Sequence, residues 1–247
     1  MKVICIIPAR YASKRFPGKP LASETGRPLI QYVYEAAARA KRVDEVVVAT
    51  DDERIRAAVE AFGGRVVMTR PDHPCGTNRV AEAAEAFPEA EIIINFQGDE
   101  PELDPGLLDR LVEMMARERA IEAATVAGPL RPDEVNDPNA VKVVLAANGE
   151  ALYFSRAPIP WARDGESDRC APMLKHFGIY AYRAAALRAY AAMPLTPLER
   201  TEKLEQLRWL EYGRRMRVLV TDERPQSIDT PEAYAAFVAR QKGAARP

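Results

Sequence analysis

Four cations, Arg10, Lys14, Arg15 and Lys19, fall within ten positions, and no acid interrupts them before Glu24. Pro17-Gly18 and Pro20 interrupt regular structure, so these cations ride on a loop. Small residues such as Ser13 and Gly18 let backbone N–H groups turn inward, and such a cationic loop suits a polyphosphate. The alternative for any Lys/Arg cluster is a solvated basic loop. Two acidic stretches accompany it. In Gln97-Gly98-Asp99-Glu100-Pro101, Gly98 allows close backbone approach and Asp99 offers a hard oxygen suited to Mg²⁺, although Gly, Asp and Pro also build plain turns. Ser227-Ile228-Asp229-Thr230-Pro231-Glu232 reads, on its own residues, as a helix start capped ahead of Pro231.

The loop follows Val3-Ile4-Cys5-Ile6-Ile7, an apolar run that predicts a buried strand. Open α/β sheets place ligands at the carboxyl ends of their strands, which favours anion binding over a solvated loop. Helical spacing of Leu29, Ile30, Val33, Tyr34 and Ala37 follows Pro28, and Glu45–Thr50 predicts a second strand. Asp51-Asp52 can cap a helix carrying Ile55, Val59 and Phe62, with Gly63-Gly64 stopping it. A strand over Arg65–Met68 leads through Thr69 to Arg79 into a helix carrying Val80, Ala84 and Phe87. In that connection Gly76-Thr77 and nearby backbone N–H groups can read a base edge or simply cap the helix. Ile92–Phe96 predicts a fourth strand, Leu107, Leu108, Leu111, Val112 and Met115 a helix, and Ala124–Val126 a strand. This alternation argues for a mostly parallel sheet with helices on both faces.

The rhythm then changes. Val141–Leu145 and Ala151–Phe154 flank Asn148-Gly149, a hairpin signal. Residues 156–173 read as an irregular segment and His176–Tyr182 as a strand. Leu204, Leu207 and Leu210 predict a helix, Val218–Val220 a strand, and Pro231–Gln241 a final helix. An Arg just past a strand, as Arg156 is, can hold a carboxylate bidentately. Taken alone, Arg156 reads as a surface charge and His176 as a structural imidazole.

Composition narrows the class. The 247 residues are 47% hydrophobic and 29% charged, as expected of a globular chain with a sizeable core. A net charge of −1 gives no overall field for nucleic acid or an anionic membrane. Cys5, Cys75 and Cys170 are odd in number and widely spaced, which argues against a disulfide framework or a zinc site. Charged and loop-forming residues follow only five apolar positions, so neither a secretory signal nor a membrane span is expected, and the cytoplasm is the expected compartment.

A Walker A loop is excluded, since Ser13 and Pro20 stand where it needs Gly and Ser or Thr, and no G-x-G-x-x-G is present. The pattern Pro8-Ala9-Arg10, Ser13-Lys14-Arg15, Pro17-Gly18-Lys19 and Leu21 resembles the sugar nucleotidyltransferases, most closely the 3-deoxy-manno-octulosonate (Kdo) cytidylyltransferases. The resemblance extends through Tyr153–Trp161, Lys175–Tyr180, Leu204–Arg208 and Ile228–Glu232. It implies a single Rossmann-like α/β nucleotidyltransferase domain over 1–247 with an inserted antiparallel segment. Residues 1–130 would be mainly nucleotide-binding, and 131–215 would bind sugar and form a homodimer. The implied reaction makes CMP-Kdo and pyrophosphate from CTP and Kdo for lipopolysaccharide biosynthesis, with Mg²⁺. It implies catalytic roles for Arg10, Lys19, Asp99 and Asp229, the two aspartates as metal ligands. It implies a nucleotide set of Ala9, Arg10, Ser13, Lys19, Arg70, Cys75, Gly76, Thr77 and Gln97. The implied sugar set is Gln97, Arg156, His176, Tyr180, Glu205 and Gln206. The chain departs from the family's Ser-Gly-Thr-Glu/Asp-Arg at Cys75 and Asn78. A cytidylyltransferase for an 8-amino Kdo analogue is one alternative, and the sialic-acid cytidylyltransferases, which typically carry Gly-Gly where Tyr11-Ala12 stands, are another. A non-catalytic nucleotide-binding regulator is the rival of another class.

Overall fold

The computed structural model describes residues 1–12, 16–165, 171–223 and 225–244. Ser13, Lys14, Arg15 and Cys170 lie outside the described residues. The chain forms two compact units, Met1–Val112 with Pro225–Pro247, and Glu113–Arg224.

The first unit is built on four parallel strands, β1 (Val3–Pro8), β2 (Glu45–Thr50), β3 (Arg65–Met68) and β4 (Ile92–Asn95), in the order β3-β2-β1-β4. Central β1 and β4 are buried almost throughout, which is why their sequences run apolar without alternation. Burial also pushes the Cys5 thiol well above its ordinary range, and among the described residues neither Cys5 nor Cys75 is in a disulfide. Helices α1 (Leu29–Ala38), α2 (Glu53–Ala61) and α3 (Gly76–Ala84) follow the first three strands. Asp52 caps α2 by accepting from Arg54 N at 2.9 Å, and Gly63 takes the left-handed conformation, φ 78°, just past its end. A longer helix, α4 (Pro105–Arg117), buries Leu107, Leu108, Leu111, Val112 and Met115, the spacing read from the sequence.

The C-terminal helix, numbered α8 (Pro231–Ala244), returns to this unit. Its Tyr234 and Phe237 join Leu29 and Ile228 in one buried cluster, with Phe16 and Tyr32 packed on it. Tyr32 meets Phe237 edge-on at 5.1 Å between centroids. The packing fixes Ile228, and with it the residue that follows, beside the start of the chain.

In the second unit β5 (Ala123–Pro129) runs antiparallel to β8 (Leu174–Arg183) and parallel to β9 (Met216–Val220). The expected hairpin is present. Strands β6 (Lys142–Leu145) and β7 (Ala151–Ser155) pair antiparallel about Gly149, φ 80°, and β6 also pairs with β8. The β5–β8 ladder carries a bulge, in which Thr125 faces Tyr180 while the next residue, Val126, faces Phe177. The two units together are mixed α/β with the antiparallel component confined to the second, as the sequence led us to expect.

Three helices occupy 184–211, where the sequence predicted one. They are α5 (Ala184–Ala192), α6 (Pro197–Glu202) and α7 (Gln206–Glu211). Leu204 precedes α7 and Leu210 is only half-buried; the buried run is Gln206, Leu207, Arg208 and Trp209. Arg208 can be buried because Glu199 of α6 accepts from its Nε at 2.7 Å and from an Nη at 2.6 Å, while Tyr190 of α5 lies 4.5 Å from its guanidinium carbon. No helix among the described residues is long and apolar enough to cross a membrane.

Candidate functional site

The basic loop closes on itself. Gly18 N donates to Tyr11 O at 3.0 Å, and Gly18 takes φ 73° with the Tyr11 ring 3.3 Å from where a Cβ would stand, so a side chain there would be both strained and crowded. The turn aims Lys19 inward. The Lys19 side chain is only 14% exposed. Its Nζ donates to Asp99 Oδ2 at 2.9 Å and to Ile228 O at 2.9 Å, and lies 3.6 Å from Asp229 Oδ1. Ile228 N in turn donates to Asp99 O at 2.8 Å. Three residues spread over more than two hundred positions thus meet at one point, and the cluster under α8 is what brings the last of them there.

The capping role offered for Asp229 belongs to its neighbour. Helix α8 starts at Pro231, and Thr230 Oγ1 accepts from Ala233 N at 3.2 Å. Asp229 instead turns toward Lys19. A Cβ at Gly98 would meet Pro8 O at 3.4 Å, with Ile7 and Ile30 beyond, so its turn lies against β1 and α1.

Burial holds the Asp99 carboxyl above its ordinary value, with Lys19 pulling against that and Asp229 adding to it. Two carboxylates share one ammonium here, so the cluster has room for further positive charge. Two hard oxygens suit a divalent cation such as Mg²⁺, which keeps the rest of its shell from phosphate and water. Among the described residues no three or more His, Cys, Asp or Glu gather as a self-sufficient metal cage.

A pocket in the same unit is lined by Pro8, Ala9, Arg10, Cys75, Gly76 and Gln97. It brings together the ends of β1 and β4 and the start of α3. Gln97 is held by a relay that the sequence reading did not assign: its Nε2 donates to Asn95 Oδ1 at 3.1 Å, and Asn95 Nδ2 donates to Thr77 Oγ1 at 2.9 Å. Thr77 is fully buried, its hydroxyl accepting the bond from Asn95. The one signal was a lone Asn closing an Ile-Ile-Ile run. Arg79, also lining the pocket, donates to Thr69 Oγ1 at 2.6 Å and pairs with Asp51 at 2.8 Å. Arg70 lies off these walls, with its backbone N and Nε both bound to Glu82, which also pairs with the pocket's His73. Cys75 and Asn78, the two departures from the family motif, bond each other, Sγ to Oδ1 at 2.9 Å. The contact ties the two side chains to each other and leaves the helix start without a side-chain cap from Cys75.

Of the other expected set, Gln97 lies in the first unit, and Arg156, His176, Tyr180, Glu205 and Gln206 lie in the second. Tyr180 Oη donates to Gln206 Oε1 at 3.1 Å, and Gln206 Nε2 is buried without a partner among the described residues. The His176 ring is packed between Phe154, at 4.9 Å, and Tyr180, at 5.4 Å. Burial pushes it down to about 3, so it is neutral near pH 7. Glu205 stands half-buried at the start of α7. Arg156 is no loose surface charge: its Nε donates to Glu202 O at 2.6 Å and its Nη atoms to Pro138 O at 2.7 Å and Lys203 O at 3.3 Å. Lys142, fully buried, bonds Arg156 O at 3.1 Å and Asp137 O at 2.7 Å and steadies the same turn.

Lys19→Met keeps the bulk of the side chain and removes its charge. It should lower kcat/KM for the nucleotide substrate roughly 10- to 100-fold, the worth of one or two charge-assisted hydrogen bonds. Unchanged kinetics in a folded variant would take this loop out of the site.

The family model described as cytidylyltransferase matches residues 4–217. The 3-deoxy-manno-octulosonate cytidylyltransferase of Syntrophobacter fumaroxidans is 49% identical, over 96% of each chain. An 8-amino-3,8-dideoxy-manno-octulosonate cytidylyltransferase of a Shewanella strain is 46% identical, over 94% of this chain and 95% of its own. Among solved structures, a CMP:2-keto-3-deoxy-manno-octonic acid synthetase complexed with CTP superposes with a TM-score of 0.92 at 43% identity, over 99% of this chain and all of the other. With the motif that follows β1, the Lys19–Asp99–Asp229 cluster and these likenesses along nearly its whole length, the chain belongs to the cytidylyltransferase family, among its 3-deoxy-manno-octulosonate members.

Proposed function

We propose that the chain transfers a cytidylyl group from CTP to Kdo and releases pyrophosphate. The observation that carries this reading is the convergence of Lys19, Asp99 and Asp229 in a chain 43% identical to a synthetase solved with CTP. The Kdo 2-hydroxyl oxygen attacks the α-phosphorus in line; the new P–O bond forms as the bond to the bridging β-phosphate oxygen breaks. Such chemistry needs alignment and charge stabilisation more than a covalent intermediate.

Arg10 and Lys19 hold the triphosphate, while Ala9, Cys75, Gly76 and Gln97 form the wall against which cytidine lies. Asp99 and Asp229 would hold Mg²⁺, which when bound neutralises triphosphate charge and lowers the pKa of a coordinated hydroxyl. Without that ion, Lys19 keeps the two carboxylates from repelling each other and holds them at one point. Arg156 takes the sugar carboxylate, and His176, Tyr180, Glu205 and Gln206 take its hydroxyls. The unpartnered Nε2 of Gln206 supports this, because a buried donor needs an acceptor. We read the protein as a cytoplasmic homodimer without nucleic-acid or membrane partners, on the family resemblance and the near-zero net charge.

The test is pyrophosphate release with each of the four nucleoside triphosphates crossed against Kdo, its 8-amino analogue and sialic acid. CTP with Kdo should give the highest kcat/KM. A preference for another base would remove the nucleotide assignment, and a preference for the 8-amino sugar would move the chain to the activity named for its Shewanella relative.

A further inference from the structure

The β5–β8 bulge leaves the Ile179 carbonyl out of the regular ladder, and Thr125 fills the gap: its Oγ1 lies 2.7 Å from Ile179 O and 3.4 Å from Phe177 O. On its other side the same hydroxyl lies 2.8 Å from His176 Nε2. A hydroxyl has one proton, and a carbonyl can only accept. The Thr125 proton therefore points to the bulge carbonyl, and its lone pairs face the imidazole. Nε2 must then be the donor, and in a neutral ring Nδ1 is left bare. Among the described residues no group bonds Nδ1.

We propose that Thr125 is a positioning residue that holds His176 as the Nε2–H tautomer, so that Nδ1 accepts a hydrogen bond from a hydroxyl of the acceptor sugar. The second half rests on the sugar-binding reading above; the tautomer does not. A bare Nδ1 repels carboxylate and carbonyl oxygens and accepts only from O–H or N–H. It thereby orients a polyhydroxy acid with its hydroxyl edge at His176, leaving the carboxylate to a cation.

The chain has only two histidines, His73 and His176. Long-range ¹H–¹⁵N correlation on the full-length protein therefore resolves both rings, with His73→Gln assigning them. The expected wild-type result near pH 7 is a protonated Nε2 and a bare Nδ1 on His176, with Nδ1 shifting when Kdo is added. Thr125→Val should release the tautomer and raise KM for Kdo about tenfold while KM for CTP holds, and Thr125→Ser should restore both. A protonated Nδ1 in the wild type overturns the proposal, and that spectrum needs no variant to fold. A locked Nε2–H ring whose Nδ1 ignores Kdo, with unchanged Kdo kinetics in Thr125→Val, overturns instead the sugar reading and with it the proposed contact.

Discussion

Asp99→Asn and Asp229→Asn should each lower kcat by on the order of a hundredfold or more, and the double variant should be little worse than either single one. An amide is a poorer ligand than a carboxylate for a hard cation, and groups that act through one ion are non-additive. The position of Asp229 makes this a sharp test. Had it capped α8, Asn would have served about as well and the change would be nearly silent. Thr230 does the capping, accepting from Ala233 N at 3.2 Å, while Asp229 lies 3.6 Å from Lys19 Nζ. Asn at either position also keeps the size of the side chain, so thermal unfolding should shift little. The Mg²⁺ concentration for half-maximal activity should rise in both single variants. Near-normal turnover of folded Asp229→Asn at limiting Mg²⁺ would defeat the shared-metal assignment.

The first unit was legible in the sequence because its elements are separated by strong local signals. The apolar run Val3–Ile7 is short, rich in β-branched residues and followed directly by a loop, and Asp52 and Gly63 punctuate α2 as a cap and a stop should. Helices α5 and α6 were not. Ala184–Ala192 is so rich in alanine that no apolar face stands out, and α6 is six residues long, closed by Lys203 in a left-handed conformation that few residues but glycine signal. The inner face of α7 misled for another reason. Arg208 is a core residue because Glu199 on the preceding helix pairs with it, and Gln206 because Tyr180, 26 positions away, bonds its Oε1, and no local apolar pattern records either partner. The site divides the same way. Lys19 and Asp99 stand in recognisable motifs, whereas the Asn95–Thr77 relay behind Gln97 and the Thr125 plug in the bulge exist only once strands are paired. Asp229 was legible only through resemblance, since its capping signal is real and belongs to the next residue.

Arg156→Ala should raise KM for Kdo by roughly 30- to 150-fold, equivalent to about 2–3 kcal/mol for a charged hydrogen bond to a carboxylate, and leave KM for CTP nearly alone. The geometry adds a condition. Three of the five guanidinium N–H groups go to the carbonyls of Glu202, Pro138 and Lys203, which leaves one N–H on each Nη among the described residues. Two donors match a bidentate carboxylate, and a guanidinium already pinned by carbonyls has lost its rotamer freedom before the sugar arrives. Removing it also strips those carbonyls of a donor, so a raised KM alone would not separate binding from disorder of the 156–160 turn. Arg156→Lys keeps the charge but offers one nitrogen in place of three, and should recover only a small part of the loss. A Kdo analogue with its carboxylate reduced to an alcohol completes the cycle. If Arg156 holds the carboxylate, the wild type should lose as much on the analogue as Arg156→Ala loses on Kdo, and the variant should scarcely distinguish the two sugars. Additive losses, with the variant still preferring the acid by the wild-type factor, would make Arg156 a clamp for the turn and move the carboxylate site elsewhere.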